Sequence, residues 1–201
     1  MAYSDWLQPS KTSGSGNDTV NVLAKSQNTG RVARQTTLIF RAANCDDVMR
    51  TVLQKGKAET SSIQDSAAVE QMGGVVTLTG VSNSSALTFE LGAGTLPLTL
   101  PETYMVNGLQ IANGAAIAGD PGATAEYEFS ISFPVAENTT IDEMSRQVIV
   151  TDAAGAKHTC VITIAAGEAY LRVSPATIEL PWDGATSASF AVESNTNWQI
   201  V

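Results

Sequence analysis

Short runs of alternating apolar and polar residues recur along the whole chain, and they end in Gly, Asn, Asp or Pro. The clearest run is Tyr127–Phe133, in which every second side chain is aromatic or aliphatic. Because successive residues of a strand point to opposite faces of a sheet, this period of two predicts a β-strand with one apolar face. No segment shows the spacing of a convincing amphipathic helix. The pattern therefore predicts an all-β protein.

The predicted strands follow one another at intervals of about 8–15 residues, with turn signals between them. They are Thr19–Ala24, Gln35–Ala42, Val48–Gln54, Val75–Val81, Ala86–Leu91, Glu126–Val135, Arg146–Val150, His158–Ala165, Tyr170–Val173, Thr177–Leu180, Ser189–Glu193 and Trp198–Val201. Such spacing is typical of immunoglobulin-like sandwiches. We expect a complete middle sandwich over residues 61–167, flanked by strands in 1–60 and 168–201, with a polar linker at 55–64.

Composition supports a folded protein and narrows the set of partners. The 201 residues are 43% hydrophobic and 15% charged, which is typical of globular chains rather than disordered ones. The net charge of −9 argues against a nucleic-acid partner, because phosphate binding needs a basic surface. No stretch approaches the roughly 18 apolar residues of a membrane helix. Neither nucleic acid nor a membrane is therefore an expected partner.

Charge is unevenly distributed along the chain. Residues 1–60 contain eight basic and five acidic side chains, a balance of +3. Residues 61–167 contain two basic and eleven acidic side chains, and residues 168–201 contain one and four, which gives −9 and −3. Opposite charge at the two ends favours head-to-tail contacts between subunits, although ordinary solvated surface explains the distribution equally well.

Motifs near the N-terminus resemble the later part of a known module. They are, in order, Trp6-Leu7, Pro9-Ser10, Gly14-Ser15-Gly16, the strand Thr19–Ala24, Asn28, the strand Arg34–Phe40 and the closing run Val52–Gly56. Together they resemble the BACON domain, an immunoglobulin-like module of gut Bacteroidetes and their phages. A member of that family should begin with a Leu-Val-Ser-Pro strand and a strand ending in Ser-Asn-x-x-Trp, and residues 1–58 lack both.

The missing motifs lie at the other end of the chain. Leu171–Pro175 and Ile178–Pro181 resemble the first strand pair, and Phe190–Val201 resembles the strand that follows. Residues 170–201 followed by 1–58 therefore resemble one module of about 90 residues, which is just under half the chain. The resemblance implies that this module is closed by Trp6, Leu7, Leu171, Val173, Phe190, Asn195 and Trp198.

The predicted architecture is thus two immunoglobulin-like sandwiches, one of them formed from both ends of the chain. Half a sandwich alone would expose an apolar face and unpaired strand edges. Three explanations stay open: closure within one chain, strand exchange with a neighbouring subunit, or a cut through a longer tandem array.

Catalytic, metal and cofactor sites are not expected. His158 is the single histidine and shares a strand face with Cys160, but no third group completes a catalytic set. Asp46-Asp47, Asp120 and Asp142-Glu143 do not have the spacing of a calcium loop. Gly73-Gly74 and Gly92–Gly94 are not followed by the Lys-Ser/Thr of a phosphate loop. Cys45 and Cys160 lie in separate predicted modules, so we expect free thiols. Since none of these groups forms a catalytic set, we expect a protein that is not an enzyme.

Two further features bear on the environment of the protein. Met1–Trp6 has neither a basic nor an apolar region, so no secretory signal is predicted, and the triplets at Asn17, Asn83 and Asn138 are interpreted as turns rather than glycosylation sites. Trp182 lies in a Pro-Trp-Asp-Gly turn and is the candidate for an exposed glycan contact.

The resemblance and the missing signal together suggest a bacteriophage virion protein made in the bacterial cytoplasm. We expect a capsid auxiliary or decoration subunit, of the kind found in crAss-like phages, with itself and the major capsid protein as partners. The alternative is a carbohydrate-binding module of a Bacteroidetes glycan-utilisation protein, which would bind glycans.

Overall fold

The computed structural model describes residues 3–184 and 186–201. The first two residues of Met1–Trp6, where no secretory signal is predicted, therefore lie outside the described residues. The strands are β1 Leu7–Pro9, β2 Val22–Ala24, β3 Arg34–Phe40, β4 Val48–Gln54, β5 Ser61–Ile63, β6 Ser66–Val69, β7 Gly74–Ser82, β8 Leu87–Gly94, β9 Thr103–Val106, β10 Leu109–Ala112, β11 Tyr127–Val135, β12 Met144–Asp152, β13 Lys157–Ile164, β14 Leu171–Ser174 and β15 Ala191–Ser194. Within those residues the one helical element is a 3-10 turn at Pro121–Ala123. The predicted all-β class is confirmed.

The strands from β5 to β13 form two sheets. One has the order β10-β9-β11-β7-β5, and the other has the order β6-β13-β12-β8. Neighbouring strands are antiparallel except β6 and β13, which run parallel. The longest pairing joins β11 to β7 over nine residue pairs, from Tyr127↔Ser82 to Val135↔Gly74.

One apolar core lies between these two sheets. In β11 the residues Tyr127, Phe129, Ile131, Phe133 and Val135 are all buried, as the period of two predicted. The core contains buried residues from both sheets: Leu78, Tyr104, Phe129, Ile131 and Phe133 from the first, and Leu87, Phe89, Val148, Val150, Cys160 and Ile162 from the second. The middle of the chain is therefore a β-sandwich.

The ring of Phe89 bridges the two sheets. Its centroid lies 5.0 Å from that of Tyr104 and 5.7 Å from that of Phe129. Both separations and the tilted ring planes are those at which aromatic pairs attract. The Tyr104 hydroxyl accepts a hydrogen bond from Leu87 N at 3.3 Å, which satisfies its polar atom within the core.

The terminal strands form three separate two-stranded sheets. β1 pairs with β2, β3 with β4, and β14 with β15. Among the described residues no strand of the N-terminal segment pairs with a strand of the C-terminal segment. Trp198–Val201, predicted as a strand, forms none here, because no neighbouring strand hydrogen-bonds to it in the described chain.

Candidate binding surfaces

The N-terminal segment is held against the middle sandwich through Arg31. Its Nη2 donates a hydrogen bond to Asp120 Oδ1, and its Nε donates to the main-chain oxygen of Asn83 at 2.6 Å. The Asp120 carboxylate raises the pKa of Arg31, so the ion pair favours the charged guanidinium. The main chain adds hydrogen bonds of 2.9 Å from Arg31 N to Gly122 O and from Val32 N to Ala123 O.

Asn83 lies beneath this contact and is completely buried. Its Oδ1 accepts a hydrogen bond from Thr60 N at 2.7 Å, while its Nδ2 donates to Thr29 O at 3.2 Å and Ala58 O at 3.0 Å. A buried amide that makes three hydrogen bonds fixes the path of the chain around it. Its triplet is therefore structural and inaccessible to a modifying group.

Asn138 likewise fixes the path of the main chain, at the point where the chain leaves the sandwich. It is also completely buried, and its Nδ2 donates to Asp142 O at 2.8 Å and Ala165 O at 3.0 Å. The next triplet residue, Thr139, accepts a hydrogen bond at its main-chain oxygen from Asn195 Nδ2 at 3.1 Å. Two buried asparagines thus hold the two junctions of the sandwich.

Asn195, predicted as a module-closing residue, anchors the C-terminal strand pair. Besides the bond to Thr139, its Nδ2 donates to Glu168 O at 2.9 Å and its Oδ1 accepts from Tyr170 N at 2.9 Å. These bonds connect β15 to the segment that precedes β14 and to the middle sandwich. This anchoring role could be found from sequence only as a motif match, since the partners are main-chain atoms far away in the sequence.

The N-terminal strand pairs are joined by Arg34, which the sequence analysis did not single out. Its guanidinium carbon lies 4.9 Å from the centre of the Trp6 ring, a cation–π distance. Its Nε donates to Gln54 Oε1 at 2.7 Å, and its Nη2 donates to Ser26 O at 2.8 Å. Trp6 is half-buried, and its neighbour Leu7 is almost fully buried at 2% exposed. Trp6 and Leu7 therefore pack inside the N-terminal segment.

A groove of about 370 Å³ lies between β3 and the loop that joins β1 to β2. One wall consists of the four consecutive β3 residues Thr37–Phe40, and the other includes Tyr3, Lys11 and Asp18. Lys11 Nζ lies 2.6 Å from Asp18 Oδ1, and this bond lowers the pKa of Asp18. The groove therefore combines an apolar strand with an internally neutralised charged loop.

Apolar side chains of the terminal strand pairs are largely uncovered. In β3 and β4 the exposed ones are Phe40, Val48, Met49 and Leu53; in the C-terminal segment they are Leu171, Val173, Leu180, Phe190, Trp198, Ile200 and Val201. The structure places Leu171 and Val173 on β14 and Phe190 directly before β15, and all three are exposed. Trp198, which the resemblance implies as a module-closing residue, is 51% exposed.

The Trp182 side chain projects fully into solvent. It is 99% exposed in the turn after Pro181. An uncovered indole ring offers a stacking surface for a sugar ring, as predicted for an exposed glycan contact. The structure places Trp182 apart from the strand residues predicted to close the split module, in the loop between β14 and β15.

Three of the candidate chemical groups, Cys160, Asp47 and Asp120, are buried or paired within the fold. Cys160 is completely buried, and burial raises the pKa of its thiol, so little nucleophilic thiolate forms at neutral pH. Asp47 is paired with Arg41 at 3.0 Å and Asp120 with Arg31. Across residues 3–184 and 186–201, no three His, Cys, Asp or Glu side chains lie close enough together to hold a metal ion.

No helix in the described part of the chain is long and apolar enough to cross a membrane.

The fold and these surfaces define an immunoglobulin-like β-sandwich protein with open strand pairs at both ends. Residues 1–54 match the BACON family model, described as "Putative binding domain, N-terminal". This match confirms the resemblance of the N-terminal segment that the motifs from Trp6 onward predicted. The segment is thus similar to a module described as a binding domain.

Solved structures with some likeness to the chain include two proteins of low identity. A protein from Bacteroides thetaiotaomicron, solved by NMR, is 16% identical, with a TM-score of 0.26, covering 51% of this chain and 77% of its own. SporoSAG from Toxoplasma gondii is 8% identical, with a TM-score of 0.25, covering 80% of this chain and 71% of its own. No curated protein sequence matches the chain.

Proposed function

We propose that this chain is a non-catalytic structural subunit of a bacteriophage virion, acting as a capsid auxiliary or decoration protein. The observation that carries the proposal is the exposure of apolar side chains in the β3–β4 pair and in the C-terminal segment. Leu171 is 57% exposed, Phe190 51% and Met49 60%. Contiguous apolar strands with open edges are the usual sites at which β proteins associate.

The energetic gain from covering these strands is substantial. Full burial of a large apolar side chain from water contributes about 1.5–3 kcal/mol, and these side chains, which are a little over half exposed, gain roughly half of that. A subunit that buries several of them on another copy or on the major capsid protein gains enough to associate stably, after the cost of ordering is met. The acidic net charge of −9 helps such a subunit to stay soluble before assembly.

The direct test is to look for this protein in particles. Mass spectrometry of purified phage particles that encode the chain should detect it at a fixed ratio to the major capsid protein. Its absence from particles that are otherwise complete would refute the proposed virion location. In a second assay the purified chain should bind purified capsids that lack it, and should not bind bacterial cell-wall glycans.

The alternative function is a carbohydrate-binding module of a glycan-utilisation protein, and one observation favours it. Trp182 is 99% exposed, and an aromatic ring this open is suited to stacking on a sugar. Glycan binding that disappears on substitution of this one residue would establish the alternative and displace the virion proposal.

A further inference from the structure

One edge of β3 has no strand beside it. β3 pairs with β4 along its full length, from Arg34↔Gln54 to Phe40↔Val48, and pairs with no other strand of the described chain. Half of the N–H and C=O groups of a strand point to each edge. The second edge of β3 therefore presents a row of backbone donors and acceptors to which another strand can bind.

The groove described above runs along this open edge. Side chains of consecutive strand residues point to opposite faces, so a cavity lined by Thr37, Leu38, Ile39 and Phe40 together lies at the edge of β3 rather than over one face. Its volume of about 370 Å³ is within the usual range for a ligand site. The groove has the shape and backbone pattern needed to accept an extended peptide.

The C-terminal tail of the chain has the complementary property. Trp198 is 51% exposed, Ile200 is 90% exposed and Val201 is fully exposed, and residues 197–201 belong to no strand. In an extended conformation Trp198 and Ile200 would share one face. The tail is therefore an apolar segment, about one short strand long, that has no strand partner in its own described chain.

The tail and the groove are attached to opposite ends of the same strand. The N-terminal segment docks beside the start of β11, where Glu126 N donates to Thr29 Oγ1 at 3.2 Å. The C-terminal segment is anchored beyond the end of β11, where Asn195 Nδ2 donates to Thr139 O. The nine residues of β11 separate these points by about 30 Å, since each strand residue rises about 3.3 Å.

Residues 196–201 cannot cover that distance from the Asn195 anchor, because they span at most about 20 Å when fully extended. A second molecule placed end to end with the first avoids this limit. Charge favours that arrangement, because residues 1–60 carry +3 and residues 168–201 carry −3.

We propose that the open edge of β3 receives the C-terminal tail of a second copy of this chain, with Trp198–Val201 added as a strand along Thr37–Phe40. The backbone supplies the hydrogen bonds, and the apolar tail residues fill the groove. Each copy then offers a groove at one end and a tail at the other, so the contact is head-to-tail and repeats from subunit to subunit. The inference rests on the proposed assembly role and names its partner.

Cross-linking between two differently marked chains tests this contact. One chain carries Thr37→Cys and a short tag, the other carries Gln199→Cys, and both carry Cys45→Ser because Cys45 is an exposed free thiol. Thr37 and Gln199 are exposed, so neither substitution disturbs a packed core. Under mild oxidation the mixture should give a mixed disulfide-linked dimer. The matched control places the first cysteine at the exposed Thr88 on β8, and should give at least tenfold less product.

A chain that carries Thr37→Cys and Gln199→Cys together distinguishes the two kinds of closure. A cross-linked monomer, with no mixed dimer from the single variants, would mean that the tail folds back onto its own chain and would overturn the proposal. Absence of cross-links in both experiments, with Ile39→Cys also tried in place of Thr37→Cys, would overturn it as well. Mixed dimers together with longer ladders from the double variant support it.

A second variant measures the affinity of the contact without any cross-link. Ile200→Asp places a charge in the apolar tail at a residue that is 90% exposed, so the fold of the single chain should not change. Sedimentation across a concentration range should show association of the parent chain weakened at least tenfold in this variant. The matched control is Val75→Asp, since Val75 is 76% exposed on β7, far in sequence from both the tail and the groove. Equal association of all three proteins would overturn the proposal.

The two proposals fail in different experiments. If the chain is present in particles but never cross-links to another copy, strand exchange is refuted and the virion role stands. Cross-linked chains that are absent from particles would support strand exchange and refute the virion role.

Discussion

Arg31 in the N-terminal segment and Asp120 in the middle sandwich form an ion pair that joins residues 89 positions apart in the sequence. The same guanidinium donates to the main-chain oxygen of Asn83, so one side chain connects three separate parts of the chain. The N-terminal segment is therefore attached to the sandwich at this point.

Removal of the Arg31 side chain should loosen that junction. The Asp120 carboxylate is 45% exposed, so water and salt weaken the ion pair, and most of the loss comes from the hydrogen bond to Asn83 O. We expect Arg31→Ala to lower the free energy of unfolding by about 1–2 kcal/mol and to speed proteolysis within residues 3–58. Urea unfolding and limited proteolysis measure the two effects.

The matched control is Arg50→Ala on β4, where the guanidinium is exposed and, within the described residues, donates to the oxygen of its neighbour Met49 alone. This variant should stay within about 0.5 kcal/mol of the parent. An equal loss in both variants would show that Arg31 does not act through the junction.

Asn83 and Asn138 should be far less tolerant of substitution than other asparagines. Replacement by Ala leaves buried main-chain groups without partners, at a cost of about 2–3 kcal/mol for each site. Asn83→Ala should expose the N-terminal segment to protease, and Asn138→Ala the C-terminal segment, because each side chain holds one junction. Thermal unfolding of the two variants beside Asn17→Ala, at an exposed residue, gives the comparison.

The sandwich could be predicted from sequence because its signal is local. β11 has a period of two that any register of pairing must respect, and Phe129 and Ile131 are buried accordingly. Strands β9 and β10 were missed because they are four residues each, and so short a run carries little periodicity. The polar 55–64 segment, interpreted as a linker, supplies β5, since Ser61 and Ile63 pair with β7 through main-chain atoms that composition does not reveal.

The candidate surfaces were less predictable, for a different physical reason. Trp182 could be selected because a Trp between Pro and Asp-Gly belongs in a turn, and it is exposed there. Arg34 and Arg31 could not be selected from the sequence, because the contacts of an arginine depend on which carbonyl groups and rings lie within its reach after folding. The groove is likewise a product of β3 and a loop twenty residues earlier, and neither strand propensity nor charge indicates an empty strand edge.

Substitution of Trp182 decides between the two candidate functions. Because the ring of Trp182 is 99% exposed, Trp182→Ala should change the free energy of unfolding by less than about 0.5 kcal/mol. If the chain binds glycans through this residue, array signals should fall at least tenfold. Under the proposed virion function we expect no glycan signals from the parent chain. Under the alternative function, Trp182→Tyr, which keeps a stacking ring, should bind glycans where Trp182→Ala does not.

High pH should destabilise the sandwich through buried tyrosines. Burial raises the pKa of Tyr127 to about 12 and also raises the pKa of Tyr104. In the unfolded chain a tyrosine ionises near pH 10, so between about pH 10 and 12 the folded state keeps protons that the unfolded state has lost. The free energy of unfolding therefore is undiminished below about pH 10 and falls as the pH rises toward 12.

Tyr127→Phe isolates the contribution of one ring. The variant loses the hydrogen bond from the Tyr127 hydroxyl to Ser84 O, at 2.7 Å, and should be less stable at pH 7 by about 1–2 kcal/mol. Its stability should then fall less steeply than that of the parent between pH 10 and 12. Parallel pH curves for the two proteins, measured by urea unfolding, would contradict the assignment to Tyr127.

Deletion of residues 170–201 should separate folding from assembly. β14 and β15 pair only with each other among the described strands, and the core between the two middle sheets contains no residue beyond Ile164. The shortened chain should therefore keep the main unfolding transition of the sandwich, while association measured by sedimentation disappears. A full-length chain with Trp198→Ser and Ile200→Ser should lose association in the same way, because both side chains are exposed in the single molecule. Loss of the sandwich transition in the shortened chain would instead mean that the C-terminal segment stabilises its own molecule.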